Sequence, residues 1–241
     1  MKYFALAISV FLLLFNYGCD ENSLSSNTFE AEDTETRIIT LSTQLLFIVE
    51  NTNGTVTISA SDTANNIYCD IMKKVISKES ESDAQVHLQE IDIAETKNST
   101  SVKMEVDHPM NNERNYEINF DIIIPDDFNF SLTLGNGNID LQTQTRAMNI
   151  NLGNGNVFTD VTLLDSCSAG ITVGNGNINF TIPGNTNAKL YASVGNGTIT
   201  NNGLNFQNQQ SSNNQFNGTL GNGSGNISLI LWNGNILMIK K

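Results

Sequence analysis

The feature that most restricts how this chain can fold is a phrase that returns. "LTLGNGNIDL" spans Leu132–Leu141, and variants follow as "INLGNGNVF" (Ile150–Phe158), "ITVGNGNINF" (Ile171–Phe180) and "ASVGNGTIT" (Ala192–Thr200). Two weaker echoes, "GTLGNGSGNISL" and "LWNGNILMI", close the sequence. The leading glycines Gly135, Gly153, Gly174, Gly195 and Gly221 are 18, 21, 21 and 26 residues apart. A period near twenty residues marks stacked repeats, in which no unit buries its apolar face alone.

Parity shows what the corner must do. Leu134 and Ile139 are five positions apart, so an unbroken strand would send them to opposite faces. Both reach one core only if the chain bends between them. Glycine adopts φ > 0 without steric cost, and asparagine tolerates it better than most residues. Gly135-Asn136-Gly137, Gly153-Asn154-Gly155, Gly174-Asn175-Gly176, Gly195-Asn196-Gly197 and Gly221-Asn222 are therefore read as structural corners. With rungs stacked at the ~4.8 Å strand spacing, Asn136, Asn154, Asn175, Asn196 and Asn222 are expected to form one column. Amides stacked in this way hydrogen-bond up and down, as in cross-β ladders. Aspartate would stack like charges there, which accounts for the amides.

The same glycines do not match a ligand loop. A dinucleotide loop needs another glycine at the GxGxxG spacing and a helix after it, and a P-loop needs its lysine. Neither follows these corners. Calcium-binding repeats carry recurrent aspartates, and the corners carry none. No cofactor and no metal is expected.

Charge divides the chain in two. Asp20–Phe130 holds 22 acidic and 7 basic residues, a balance of −15, whereas Ser131–Lys241 holds 3 acidic and 4 basic, a balance of +1. Asparagine supplies the polarity of the second part, 23 of 111 residues. An acidic chain without a basic face is a poor partner for nucleic acid, because phosphate neutralisation by Lys and Arg drives that association.

The first residues form a targeting segment. Lys2 precedes "YFALAISVFLLLFNYG", a run too short for an ordinary transmembrane helix and of the right length for a signal-peptide core. Gly18-Cys19 follows directly, and a small residue before a cysteine at this place resembles the lipobox of bacterial lipoproteins. The resemblance implies that residues 1–18 are removed and that Cys19 is acylated. The lipid would anchor the protein to the membrane without spanning it. The acidic "DEN" after Cys19 is similar to surface-export signals and implies an outer-membrane lipoprotein facing outward. Residues 19–36 are acidic and almost free of apolar side chains, and read as a flexible tether. Cys69 and Cys167 lie one in each half. Two separate buried thiols are expected, with pairing left open.

From Arg37 the chain is rich in strand signals. "IITLSTQLLFIVENTNGTVTIS" reads as two strands around a hairpin turn at Asn53-Gly54. Val102, Met104 and Val106 alternate, as do Tyr116, Ile118, Phe120, Ile122 and Ile124, the pattern of half-buried strands. A short helix from about Ser80 to Glu90 is expected, with a capping-box spacing at Ser82 and Gln85. Asn201–Gln215 enlarges one repeat and reads as an exposed loop suited to binding groups.

Residues 37–241, with repeats clearest over 128–241, resemble the bacterial putative-adhesin proteins with β-strand repeats, a domain of unknown function. The resemblance rests on "NTNGTVTIS", "IIIPDDFNFSLTLGNGNIDL" and "GNISLILWNGNILMIKK". It implies an all-β fold: a single-stranded, right-handed parallel β-helix or β-roll-like solenoid with one short helix in its N-terminal part.

No catalytic constellation stands out. Glycoside hydrolysis uses two carboxylates across a cleft, and the repeats offer Asp140, Asp160 and Asp165, read as solvated. His87 and His108 have no serine or cysteine motif beside them. The chain is therefore expected to be a non-catalytic envelope protein, adhesin-like or in contact with a glycan or a surface protein. Asn, Gln and Trp232 suit sugar hydroxyls and rings. A self-associating envelope scaffold is the alternative, and a polysaccharide-active enzyme a weaker one. Composition sets no oligomeric state.

Overall fold

The computed structural model describes residues 28–62, 64–109 and 113–241. Residues 1–18, Cys19 and the first half of the stretch read as a tether lie outside that range.

Alternation at period two builds most of the described chain. In β6 (Arg114–Pro125) Tyr116, Ile118, Phe120, Ile122 and Ile124 are all buried, and the residues between them are not, Asn119 and Asp121 among them. The same pattern forms β2 (Leu46–Ser61), β3 (Asn66–Ser77), β5 (Ser101–Asp107) and a run of 54 residues, β7 (Asn129–Ile182). With β1 (Phe29–Thr40), β4 (Asp92–Lys97), β8 (Ala188–Asn202), β9 (Gln207–Ser211), β10 (Gln215–Leu220) and β11 (Gly225–Lys240) they make one open sheet. Its order is β1-β3-β6-β2-β7-β11-β8-β10-β9, with β5 on β2 and β4 on β5.

β7 passes three times along the stack, so that Gly153 lies over Gly135 and Gly174 over Gly153. β11 then runs parallel to the third pass, with Ile236 opposite Ile178. β8 runs parallel to β11 on its other side, with Ile199 opposite Ile236. Rung order is thus not chain order: the last strand of the sequence is threaded between β7 and β8. Leu134 and Ile139, Leu152 and Val157, Val173 and Ile178, and Leu231 and Ile236 are all buried. Each such side chain contributes roughly 1.5–3 kcal/mol on leaving water. The parity conflict is resolved where it was expected, at the corner between each pair.

Four expectations are corrected. A right-handed parallel β-helix is not supported, because the sheet is mixed and open. β1/β3, β3/β6, β4/β5, β8/β10 and β9/β10 are antiparallel. Two of these pairs are joined by tight reversals: Asn98 Oδ1 accepts from the N–H groups of Thr100 and Ser101 between β4 and β5, and Ser212 Oγ accepts from the N–H of Gln215 between β9 and β10. The other three bring together strands that are not consecutive. The tether does not extend to Thr36, since β1 starts at Phe29. There Glu30 and Glu32 pair with Lys74 of β3 while Ala31 is buried. Asn53-Gly54 is not a hairpin turn but a corner inside β2, in register with Asn136-Gly137. The helix, α1 (Glu81–Leu88), is capped by Ser80 and not by Ser82; the Ser80 hydroxyl accepts from the N–H of Asp83 at 3.1 Å.

The insert Asn201–Gln215 is exposed as expected except at Leu204 and Phe206, but it is not a free loop: it carries β9, paired with β10. Leu204 is buried, and the Phe206 ring meets Phe216 of β10 edge-on with centroids 4.8 Å apart. Stacked folds need such an end to keep the last apolar layer from water.

Candidate functional site

The corners form one continuous amide ladder. Asn136 Nδ2 donates to Asn53 Oδ1 at 2.7 Å, Asn154 to Asn136 at 2.8 Å and Asn175 to Asn154 at 2.7 Å. Asn233 then donates to Asn175, and Asn196 to Asn233, each at 2.7 Å. A second column runs beside it. Asn156 donates to Asn138, Asn177 to Asn156 and Asn235 to Asn177, and Thr198 Oγ1 donates to Asn235 at 2.7 Å.

The structure therefore places Asn136, Asn154, Asn175 and Asn196 in one column and leaves out Asn222. Gly221 and Asn222 turn the chain ahead of β11, where the Asn222 N–H donates to Asn187 Oδ1 at 3.0 Å. Asn53 and Asn233 are the members that the sequence reading missed. A local signal separates them from Asn222: the third residue after each ladder asparagine is Val or Ile, as at Val56 and Ile236, whereas Gly225 follows Asn222.

The two glycines of the phrase differ in role. The second always has positive φ, from 131° at Gly54 to 145° at Gly197. A Cβ on Gly176 would lie 1.6 Å from the carbonyl oxygen of Gly155. The first position is less strict: Thr52 and Trp232 stand there in β2 and β11. Gly135, Gly153, Gly174 and Gly195 fill it elsewhere without positive φ, although a Cβ on Gly174 would still lie 2.4 Å from the Gly153 carbonyl oxygen.

Trp232 stands on the outward face of the stack, 67% exposed, with Ile230 (36%) two residues before it and Tyr191 (37%) on the neighbouring strand. Gly174 and Gly195 occupy the corresponding places on the strands at either side of Trp232. A recess of about 350 Å³ is lined by Trp232 with Ser193, Gly195, Asn196, Ile230 and Asn233. Beyond Val194 the outer edge of β8 has no strand beside it among the described residues.

The ionisable groups are engaged elsewhere. Asp140 and Asp160 line one recess with Thr57, Gln142 and Thr181, but Lys241 pairs with Asp160 at 2.5 Å and offsets its charge. Asp165 accepts from Asn187 at 3.1 Å. Near the helix, Arg114 binds Asp83 through two nitrogens, at 2.6 and 2.8 Å. Those hydrogen bonds, with one from Ser77, hold the Asp83 carboxyl far below the usual carboxylate range. His87 contacts Asp83, Glu90 and Tyr116, and His108 stacks on Tyr116. Cys69 and Cys167 are buried free thiols, and burial pushes the Cys69 thiol up to about 12. Among the described residues no three His, Cys, Asp or Glu side chains gather as metal ligands would.

No family model matches the sequence, and no curated protein does. Among solved structures, one described as "a putative cell adhesion protein from Clostridium sporogenes ATCC 15579" is similar over 88% of this chain and 100% of its own, at 16% identity and a TM-score of 0.57. At that identity the likeness concerns the fold. Structures described as putative adhesins from Bacteroides fragilis NCTC 9343 and Parabacteroides merdae ATCC 43184 each cover 86% of the chain, with 11% and 7% identity. Their TM-scores of 0.26 and 0.24 are too low to bear on the fold.

Proposed function

We propose that this chain is a non-catalytic, adhesin-like protein of the bacterial cell envelope, exported by residues 1–18 and held to the outer membrane by lipid on Cys19. The observation that carries the reading is the fold, which is similar along nearly its whole length to that of the Clostridium sporogenes protein described as a cell adhesion protein. The apolar run that ends at Gly18-Cys19 supports the anchor. The stacked corners support a presenting role, since interlocked amides hold the outward side chains on a rigid frame.

Protease treatment of intact cells, followed by antibody, tests this reading alongside Cys19→Ala. Loss of the protein from intact cells, with Cys19→Ala released from the membrane, is the expected outcome. Protection until the envelope is opened would place the domain inside and overturn the surface assignment.

A second reading, a scaffold that self-associates, is favoured by the uncovered β8 edge from Gly195 to Asn202. It carries no ionised side chain of the kind that guards sheet edges. Sedimentation of the purified protein over a concentration series tests it: assembly that Thr200→Lys abolishes would support the scaffold, and a monomer throughout would reject it.

A further inference from the structure

We infer that the outward face of β7, β11 and β8 around Trp232 is a binding site for a neutral glycan; this rests on the adhesin-like reading and names its ligand class. Four observations converge there. First, Trp232 is the only tryptophan of the chain and is 67% exposed, although its strand lies between β7 and β8 on an inner rung of a folded stack. An indole left in water at a position that glycine fills on other rungs gives nothing to the core.

Second, its neighbours leave the ring free. Gly174 and Gly195 flank Trp232 on the adjoining strands, so no side chain covers it from either rung. An open aromatic surface between two side-chain-less positions is the arrangement needed to lie against the apolar C–H face of a flat ring.

Third, the surrounding polar groups are hydroxyls and amides. Ser193, Asn196 and Asn233 line the recess with Trp232, and none of its lining residues is ionised. Asn196 and Asn233 are already oriented by the ladder, so a ligand meets fixed donors and acceptors. Such preorganisation lowers the ordering cost of binding. An anionic polymer finds no cation in this recess, and a basic peptide finds no carboxylate.

Fourth, the site is extended. Tyr191 is opposite Ser228, four residues before Trp232 on β11, so the two aromatic residues are separated by roughly 13 Å along the strand direction at about 3.3 Å per residue. Ile230 lies between them on the same face. A second recess of about 630 Å³ opens beside Tyr191, lined by Asn149, Asn217, Asn226 and Ser228, with Lys189 its one charge. The row suits successive rings of an oligosaccharide better than a single small molecule.

Because Trp232 is unique, its fluorescence reads the site directly. The full chain in mild detergent is titrated with soluble dextran, β-glucan, xylan and mannan, and with polygalacturonate as the charged comparison. At least one neutral polymer is expected to shift the emission to the blue and to retard the protein in an affinity gel. Trp232→Ala should weaken retardation by about thirtyfold or more, as loss of a central aromatic anchor does, and Tyr191→Ala by about fivefold. Both variants should keep the parent melting temperature, since both side chains are outside the core.

Several results would overturn the assignment: no response to any neutral polymer, retardation that survives Trp232→Ala, or a response to polygalacturonate alone. An emission shift that depends on protein concentration without polymer would do the same, giving the face to a second copy of the chain. The outcome is separable from cell location. Glycan binding by a protein that resists protease on intact cells would reject the surface reading and keep the site, and surface exposure without binding would do the reverse.

Discussion

Asn233 Nδ2 donates to Asn175 Oδ1 at 2.7 Å across 58 residues of sequence, while Asn196, only 21 residues after Asn175, lies one rung farther away on the other side of Asn233. The ladder is therefore completed by the C-terminal strand, and its amides link segments that fold from distant parts of the chain.

Asn175→Asp tests the ladder. The carboxylate cannot donate to Asn154 Oδ1, and it sets acceptor against acceptor at the middle of the column. Stability at pH 7 should fall by about 1 kcal/mol, the usual net worth of such a bond, read as a lower urea midpoint. Below the carboxyl's own pKa part of the loss should return, because the protonated acid can donate again. A pH-independent loss would mean that the hydrogen bond is not what Asn175 supplies.

The second glycine of each corner should be less replaceable than the first, because it alone combines a positive φ with the closer approach to the neighbouring carbonyl. Gly176→Ala places a Cβ 1.6 Å from the Gly155 carbonyl oxygen at φ of 140°. Residues forced into such backbone regions cost on the order of 1–3 kcal/mol each before any clash is counted. Denaturant titration should show a loss at least that large. An unchanged midpoint would remove the steric account of the corner.

Leu204→Ala should destabilise by about 2–5 kcal/mol, the range for a buried leucine, because Leu204 closes the end of the core. Deletion of Asn201–Gln215 should expose that end and give a dye-binding, partly unfolded protein, seen by ANS fluorescence. A deletion variant with the parent melting temperature would return the segment to the status of a loop.

Cys69 should titrate only near pH 12, because burial penalises its thiolate by more than the nearby Arg37 favours it. In the unfolded chain a thiol ionises at about 8.5. The raised folded value means that this group's contribution to stability is complete below about pH 8.5 and is lost as pH rises toward 12. In a Cys19→Ala, Cys167→Ala background, where Cys69 is the one thiol left, native protein at pH 9 should react with Ellman's reagent only as fast as it opens, and at once in urea. Immediate reaction of that native state would show that Cys69 is not sealed.

Several features were legible from residues alone because they depend on local geometry. Leu134 and Ile139, five apart, required a bend, and only glycine accepts the backbone found at Gly137. The period-two run from Tyr116 to Ile124 gave a strand with the correct inner face. Direction was not legible, because alternation at period two is the same for parallel and antiparallel neighbours. The reversals at Asn98 and Ser212 set only β4/β5 and β9/β10, and β1/β3, β3/β6 and β8/β10 pair strands that are not consecutive. Asn53 was hidden because an Asn-Gly pair serves a hairpin and a stacked corner equally well.

What the sequence by itself determined was the rung: two short apolar pairs, a glycine corner between them and an amide to lay against another amide. What only the tertiary structure decided was which rung lies on which. Every corner presents the same donor, acceptor and apolar pair, so local chemistry scores all stackings almost alike. The choice fell to the connections: β8 is tied antiparallel to β10, and the chain then returns β11 into the gap beside the third pass of β7. That return also sets Trp232 between Gly174 and Gly195, a juxtaposition that no stretch of sequence contains.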